Sequence, residues 1–207
     1  MLQPKNLRFS SRTNLIKTRY TIADFKPDCY MKKKIGILIL TIILTPILAG
    51  IYGLIHDQIS YSISPEYFTK FKFEQFGFVE YGLDDKRITV GIIGVWATWW
   101  TGLIIGIVNG FTGLIQPNYK KMTKSILKAT FLTFITTIIF GIIGLIFGKI
   151  FSSYTNVDWD FPSDLIDKKS FITVGIMHNF SYVGGFVGMI IGMIYQIRLK
   201  KPLYNNV

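Results

Sequence analysis

The stretch IGILILTIILTPILAGIYGLI, residues 35–55, runs through 21 positions without a charged residue. An α-helix needs roughly 20 apolar residues to cross the ~30 Å hydrocarbon core of a bilayer. Three more apolar runs of at least this length follow at residues 88–115, 126–150 and 171–197, and of these only 126–150 contains lysines, at positions 128 and 149. Helices in the cores of soluble proteins are seldom so long and so uniformly apolar. The sequence therefore predicts an all-α integral membrane protein with four transmembrane helices in a compact bundle.

Charged residues are divided between the two sides of these spans. Beyond residue 30, every Asp and Glu lies in residues 57–85 or 158–167, whereas bases cluster at residues 32–34, 120–128 and 198–201. Basic residues close to span ends are retained in the cytoplasm. This partition predicts an N-in, C-in chain whose two acidic loops lie outside.

The net charge of +11 does not indicate nucleic acid as a partner, because the surplus of bases lies beside span ends and in residues 1–30. The expected partner of these bases is the lipid bilayer with its anionic headgroups. Residues 1–30 lack apolar periodicity and are interpreted as a disordered cytoplasmic extension or a misassigned start, and residues 31–207 as the four-span domain. Cys29 is the only cysteine, which excludes a disulfide framework within the chain.

Spans two and four resemble each other. Ile88-Thr-Val-Gly-Ile and Ile172-Thr-Val-Gly-Ile each follow a short acidic–basic segment, at Asp85 and Asp167. This internal repeat predicts two tandem outward helical hairpins, although shared membrane composition explains such a match equally well. Small-residue stripes such as Gly184-x-x-x-Gly188-x-x-x-Gly192 predict close helix packing and leave a homo-oligomer or a membrane-protein partner open.

The first outer loop is rich in aromatic residues. Gln58-Ile-Ser-Tyr-Ser-Ile-Ser alternates polar and apolar residues, which predicts a short strand. Ser64-Pro65-Glu66 has the pattern of a helix start, and aromatic residues follow. The loop is therefore predicted to form a short strand and then an interfacial helix.

Both histidines fall toward the outer side of the predicted topology. Polar groups inside a membrane need partners, and an ionisable residue there is a candidate for function. The candidate polar site comprises His56, Asp57, Gln58, Glu66, Trp99, Trp100, His178, Ser181 and Tyr182. Of these, His56, Asp57 and His178 are candidate ligands for a divalent metal, since imidazole and carboxylate are normal zinc ligands. A plain interhelical hydrogen-bond network is the competing interpretation, because no H-E-x-x-H spacing is present.

The motifs of common enzyme classes are missing from the chain. There is no G-x-S-x-G, no Walker loop, no dinucleotide fingerprint and no cysteine pair. The leading hypothesis is a non-catalytic binding or accessory protein with an outward-facing polar site and no obligatory cofactor. A solute or ion transporter acting through the His178 layer is one alternative, and a metal-dependent membrane enzyme is another.

Four blocks of the sequence carry a resemblance to known proteins. They are His56-Asp57-Gln58, Pro65-Glu-Tyr-Phe-Thr69, Ala97-Thr-Trp-Trp-x-Gly102 and His178-x-x-Ser181-Tyr182. The pattern resembles an uncharacterised family of bacterial four-span inner-membrane proteins, from about residue 31 to the end. The chain departs from it after Thr69, where Lys-Phe-Lys-Phe replaces a turn of Gly-His-Pro type. The resemblance implies a multi-pass protein of the bacterial inner (cytoplasmic) membrane and no particular activity.

Overall fold

Four long helices form the protein. A computed structural model describes residues 27–78, 85–152 and 159–200. For residues 27–30 it describes the backbone alone. The long helices are α1 (Pro27–Ile63), α4 (Lys86–Gly113), α5 (Tyr119–Phe151) and α6 (Lys168–Lys200). Their apolar length and composition are sufficient to cross a membrane. The predicted all-helical architecture with four candidate spans is confirmed. Of the extension predicted at residues 1–30, residues 1–26 lie outside the described residues and residues 27–30 belong to α1.

Between α1 and α4 the chain forms a short helical cap, residues 64–78. The cap consists of α2 (Pro65–Tyr67), a π-helix (Phe68–Lys72) and α3 (Phe73–Gln75). Ser64 caps α2 as its sequence predicts, because its hydroxyl accepts a hydrogen bond from the Tyr67 N–H and a proline follows it. The bundle end that carries this cap is the cap end, and the end at residues 114–118 is the far end.

The strand predicted at residues 58–64 is wrong, since α1 continues as a helix to Ile63. Alternation over seven residues also fits the last turns of a helix if its serines find partners there. Ser60 and Ser62 do so by donating their hydroxyl hydrogens to the carbonyl oxygens of His56 and Gln58, at 2.8 and 3.0 Å. These serines therefore need no neighbouring strand. No strand occurs among the residues that the structure describes.

The helices pack as two close pairs, α1 with α4 and α5 with α6, and contacts between the pairs are sparse. Glycines allow the close approach within each pair. A Cβ atom on Gly53 would lie 2.1 Å from the Gly94 carbonyl oxygen, and one on Gly188 would lie 2.7 Å from the Thr133 Cα. Small residues at helix interfaces let backbones touch in a membrane, where van der Waals packing drives association. The surface between the two pairs is called the seam below.

Polar side chains bridge the seam at both ends of the bundle. At the far end, buried Gln116 donates from Nε2 to the Gln196 carbonyl oxygen at 2.8 Å. Within the first pair at the same end, the ammonium of Lys34 on α1 donates to the carbonyl oxygen of Leu114, directly after α4, at 3.0 Å. At the cap end the bridge is made by the two histidines and Asp57, which form the candidate site.

Candidate functional site

His178 contributes from the second helix pair and is fixed on both sides of its ring. The Nδ1 atom lies 2.8 Å from the Val174 carbonyl oxygen one turn earlier in α6, and Nε2 lies 3.1 Å from Oδ1 of Asp57 on α1. The side chain is only 7% exposed. His178 therefore connects the two helix pairs through a buried contact with a carboxylate.

The carbonyl of Val174 determines which nitrogen of His178 bears a hydrogen. A carbonyl oxygen only accepts hydrogen bonds, so Nδ1 must be the donor at this contact. In a neutral imidazole Nε2 then carries a lone pair, and this lone pair faces Oδ1 of Asp57, which is also an acceptor. Two acceptors in direct contact repel each other. A proton or a metal ion must therefore stand between His178 and Asp57.

His56 approaches the same carboxylate oxygen from α1. Its Nδ1 atom lies 3.2 Å from Oδ1 of Asp57, and its Nε2 atom lies 3.2 Å from the Ser181 hydroxyl of α6. The two imidazole rings meet edge to face with centroids 4.7 Å apart. One ligand atom from each of His56, Asp57 and His178 lies within 4.8 Å of the others. Both rings thus direct a nitrogen at one oxygen.

The second oxygen of the Asp57 carboxylate has no partner. Oδ2 is buried and forms no hydrogen bond with the residues that the structure describes. A buried polar atom without a partner costs about 1–3 kcal/mol. This cost is removed if a cation is held by both carboxylate oxygens, which is a common mode of carboxylate ligation.

Aromatic rings enclose the site. Tyr67 and Phe68 of the cap lie against His178, with ring centroids 5.1 and 6.2 Å away. Tyr52, one turn before His56 on α1, lies 5.4 Å from the His56 ring. Phe68 is completely buried and Tyr67 nearly so. The enclosure keeps bulk water away, and this strengthens any electrostatic contact within the site.

A group of ionic contacts, called the latch below, holds the cap to the segment before α6. Glu66 accepts hydrogen bonds from the backbone N–H groups of Ile166 and Asp167, at 3.1 and 2.7 Å. Lys70 pairs with Glu66 at 2.8 Å and with the Asp164 carboxylate at 3.1 Å. The contact with Lys70 and the two backbone bonds lower the pKa of Glu66 to about 2. The same contacts, that with Glu66 first, raise the pKa of Lys70.

The π-helix of the cap buries a second cation, Lys72. Its ammonium donates to Oε1 of Gln75 at 2.9 Å and lies 5.8 Å from the centre of the Tyr67 ring. Phe71 and Phe76 also present their rings to it. Burial lowers the pKa of Lys72. Tyr67 thus contacts this ammonium as well as the ring of His178.

The structure brings together four of the predicted site residues: His56, Asp57, His178 and Ser181. Tyr182 lies at the margin, where its hydroxyl donates to the Ala97 carbonyl oxygen and its ring stacks on Trp100 at 6.3 Å.

Three predicted residues lie elsewhere. Gln58 bonds Arg87 at the start of α4, Glu66 belongs to the latch, and Trp99 is exposed on the surface of the bundle. Gln58 follows Asp57 directly, but successive helical residues point about 100° apart, so it faces α4 instead of α6.

Sequence reasoning missed Tyr52, Ser60, Tyr67 and Phe68 as neighbours of the site. For two of them a signal was available, because Tyr52 and Ser60 are each four residues from His56 and so share its helix face. Tyr67 and Phe68 reach His178 through the fold of the cap, and spacing along the chain does not show this contact.

The set of groups is suited to holding a cation. Two imidazole nitrogens and a carboxylate are ligands that zinc and similar divalent metals take. The Val174 carbonyl would serve as the outer partner that orients a metal-bound histidine.

Comparison of the chain with protein-family models, with curated proteins and with solved structures finds no match.

Proposed function

We propose that this protein is a non-catalytic integral membrane protein that binds one divalent transition-metal ion between His56, Asp57 and His178. The observation that carries the proposal is the contact between Nε2 of His178 and Oδ1 of Asp57. Because Nδ1 of His178 donates its hydrogen to the Val174 carbonyl oxygen, this contact needs a proton or a metal ion between its two atoms. Zinc, or a metal of similar size and preference, meets this need with its normal ligands.

The distances within the site are compatible with a metal ion. Two ligands bound at roughly 2.0–2.1 Å and at a tetrahedral angle are separated by about 3.3 Å. The two histidine nitrogens lie 3.2 and 3.1 Å from Oδ1 of Asp57. A small local adjustment would therefore accommodate an ion.

The rival reading is an ion pair in which His178 is protonated and donates to Asp57. In that arrangement Oδ2 of Asp57 remains without a partner in its buried position. A metal ion bound by both carboxylate oxygens satisfies Oδ2 as well. This difference favours the metal over the proton-only network.

Metal analysis of the purified protein tests the proposal. After equilibration with zinc and removal of free ion, we expect one zinc per chain in the wild type and little in His178→Ala, His56→Ala and Asp57→Asn. Cobalt(II) in place of zinc should give ligand-field absorption that these variants lack. Asn179→Ala, beside His178 but exposed, is the matched control and should keep the metal.

The fold of each variant must be checked by size-exclusion chromatography and helical circular dichroism. A wild type that retains no metal after exposure to zinc, cobalt, manganese or nickel contradicts the proposal and favours the protonated pair. Loss of metal from Asn179→Ala as well would show that the variants act through the fold and not through their ligands.

One feature also favours a second candidate function, transport of the same ion. The site lies at the seam, with ligands from both helix pairs and sparse contacts elsewhere between them. Transporters place ion sites at such interfaces between rigid units. Vesicles containing the wild type would then take up metal faster than vesicles with His178→Ala, whereas a binding protein gives equal uptake for both.

The membrane and the orientation are also part of the proposal. We place the protein in the bacterial inner membrane with the cap on the outer side, on the distribution of bases and on the resemblance in residues 56–58, 65–69, 97–102 and 178–182. The metal would then reach the site from outside the cell.

A further inference from the structure

A groove runs between α1 and α4 on the outer surface of the first helix pair. Its volume is about 420 Å³, and its lining is almost entirely apolar. The walls are formed by Leu54 of α1 and by Ile88, Ile92 and Val95 of α4, with Gly91 at the base. The groove follows α4 from residue 87 to residue 95, which is about 12 Å at a rise of 1.5 Å per residue.

Gly91 lies in the lining of the groove and contributes no side chain to it. A Cβ atom at Gly91 would lie 3.5 Å from the Gln58 side chain and 3.7 Å from Leu54, which is ordinary contact. The close packing of the helices therefore does not require glycine at this position, in contrast to Gly94 one turn later. A side chain longer than alanine would extend into the groove and fill it.

The polar side chains of the groove lining are those of Arg87 and Gln58. Arg87 donates from Nη1 to Oε1 of Gln58 at 3.2 Å and from Nη2 to the Ser62 hydroxyl at 3.2 Å. Its guanidinium also lies 5.1 Å from the centre of the Tyr61 ring. Gln58 binds in return to the Arg87 carbonyl oxygen at 2.8 Å. These contacts hold the guanidinium in place beside the groove.

We propose that this groove binds one phospholipid, with an acyl chain along Leu54, Gly91 and Val95 and the lipid phosphate at the guanidinium of Arg87. A groove open to the bilayer core is filled by whatever apolar group surrounds it, and that group is an acyl chain. A guanidinium has five N–H donors, of which the contacts with Gln58 and Ser62 use two. The donors that remain match a phosphate oxygen in charge and geometry.

Arg87 lies at the level expected for a lipid headgroup. It is the second residue of α4, and Asp85 caps that helix by accepting a hydrogen bond from the Arg87 N–H at 2.8 Å. The guanidinium therefore lies at the end of a candidate span, at headgroup level, and the apolar walls extend from it toward the middle of the span. The only carboxylate among these contacts, Asp85, is engaged by the backbone of α4.

Native mass spectrometry tests the proposal. The purified full chain is equilibrated with mixed micelles that contain equimolar phosphatidylglycerol, phosphatidylcholine and diacylglycerol, and the retained lipids are counted. We expect the wild type to retain one phospholipid of either headgroup and to discriminate against diacylglycerol, which has no phosphate. Arg87→Gln should reduce retention about tenfold, the loss expected for one hydrogen bond with a charged group.

Substitutions that fill the groove provide an independent test of lipid binding. Gly91→Leu should displace the acyl chain and abolish retention, whereas Gly91→Ala should keep it. Gly36→Leu is the matched control, because a Cβ atom at Gly36 has no neighbour within 4 Å. Lys86→Gln, beside Arg87 but outside the groove lining, controls for loss of a nearby positive charge.

Equal retention in the wild type, Arg87→Gln and Gly91→Leu overturns the proposal. So does retention of diacylglycerol as strong as that of the phospholipids, since the guanidinium then contributes nothing. A wild-type spectrum dominated by dimers that Gly91→Leu disrupts would assign the groove to a second copy of the chain. The metal site has no part in these outcomes.

Discussion

The Nε2 atom of His178 lies 3.1 Å from Oδ1 of Asp57, and this contact joins two helix pairs that otherwise touch little. His56 meets the same carboxylate from the other side at 3.2 Å. The buried carboxylate of Asp57 therefore lies at the seam, in contact with one histidine from each helix pair. Any cation held there contacts both pairs at once, so its binding free energy also stabilises their association.

Asp57→Asn should abolish stabilisation of the fold by metal. A ligand that binds only the folded state stabilises it by about 2.7 kcal/mol at a concentration 100 times its Kd. We expect the wild-type Tm in detergent to rise on addition of zinc and the Asp57→Asn Tm to stay constant. Differential scanning fluorimetry measures both, and Asn179→Ala should behave as the wild type does. An equal rise in Asp57→Asn would exclude Asp57 as a ligand.

The latch predicts an acid-sensitive cap. Contacts in the folded state lower the pKa of Glu66 to about 2, so the stability that Glu66 contributes is fully present above its ordinary value in the unfolded chain. It is lost as the pH falls from that ordinary value through about 2. We expect hydrogen exchange at the backbone N–H groups of Ile166 and Asp167 to accelerate across this range, after correction for intrinsic exchange.

Glu66→Gln should show the accelerated exchange already at neutral pH, because the amide lacks the charge that pairs with Lys70. Glu74→Gln, an exposed residue of the same cap, is the matched control and should leave both N–H groups protected. If the two variants protect these groups equally, Glu66 does not hold the cap.

The four spans could be predicted because the bilayer sets a minimum apolar length, and residues 35–55 and 171–197 exceed it. The shared level of His56 and His178 followed from counting spans. The rotation of each helix about its axis did not follow, and this rotation directs Gln58 toward Arg87 while its neighbour Asp57 faces His178. The bilayer thickness sets the length of a spanning helix, but it says little about which side of that helix faces its neighbours.

The cap shows a second limit of sequence reasoning. Ser64-Pro65 marked the start of its helix correctly, but nothing in Phe68–Lys72 indicates a π-helix, which is rare and depends on tertiary packing. The placement of Tyr67 against His178 and of Glu66 against Ile166 follows from this fold. Contacts of this kind join residues about 100 positions apart, and spacing along the chain does not encode them.

Gly53→Ala should separate the first helix pair. The new methyl group would lie 2.1 Å from the Gly94 carbonyl oxygen, and a helix backbone cannot yield locally. Overpacking of this kind costs about 1–3 kcal/mol, and a backbone neighbour places it at the upper end. Thermal unfolding in detergent should show a marked fall in Tm. Gly36→Ala, on the same helix with no atom within 4 Å of the added Cβ, should keep the Tm or raise it slightly, because alanine favours a helix over glycine. An equal fall in this variant would show that contact with Gly94 is not the cause.

Single cysteines should report the orientation of the chain. In a Cys29→Ser background, Ile166→Cys places a thiol at the cap end, where the native side chain is 89% exposed, and Lys120→Cys places one in an exposed position at the far end. The excess of bases at the far end predicts that it lies in the cytoplasm. In intact spheroplasts a membrane-impermeant maleimide should therefore label Ile166→Cys at once and label Lys120→Cys only after permeabilisation. The reverse pattern would place the cap and the proposed metal site on the cytoplasmic side. Labelling of both before permeabilisation would show that the membrane was leaky, and a permeant maleimide confirms that each thiol is reactive.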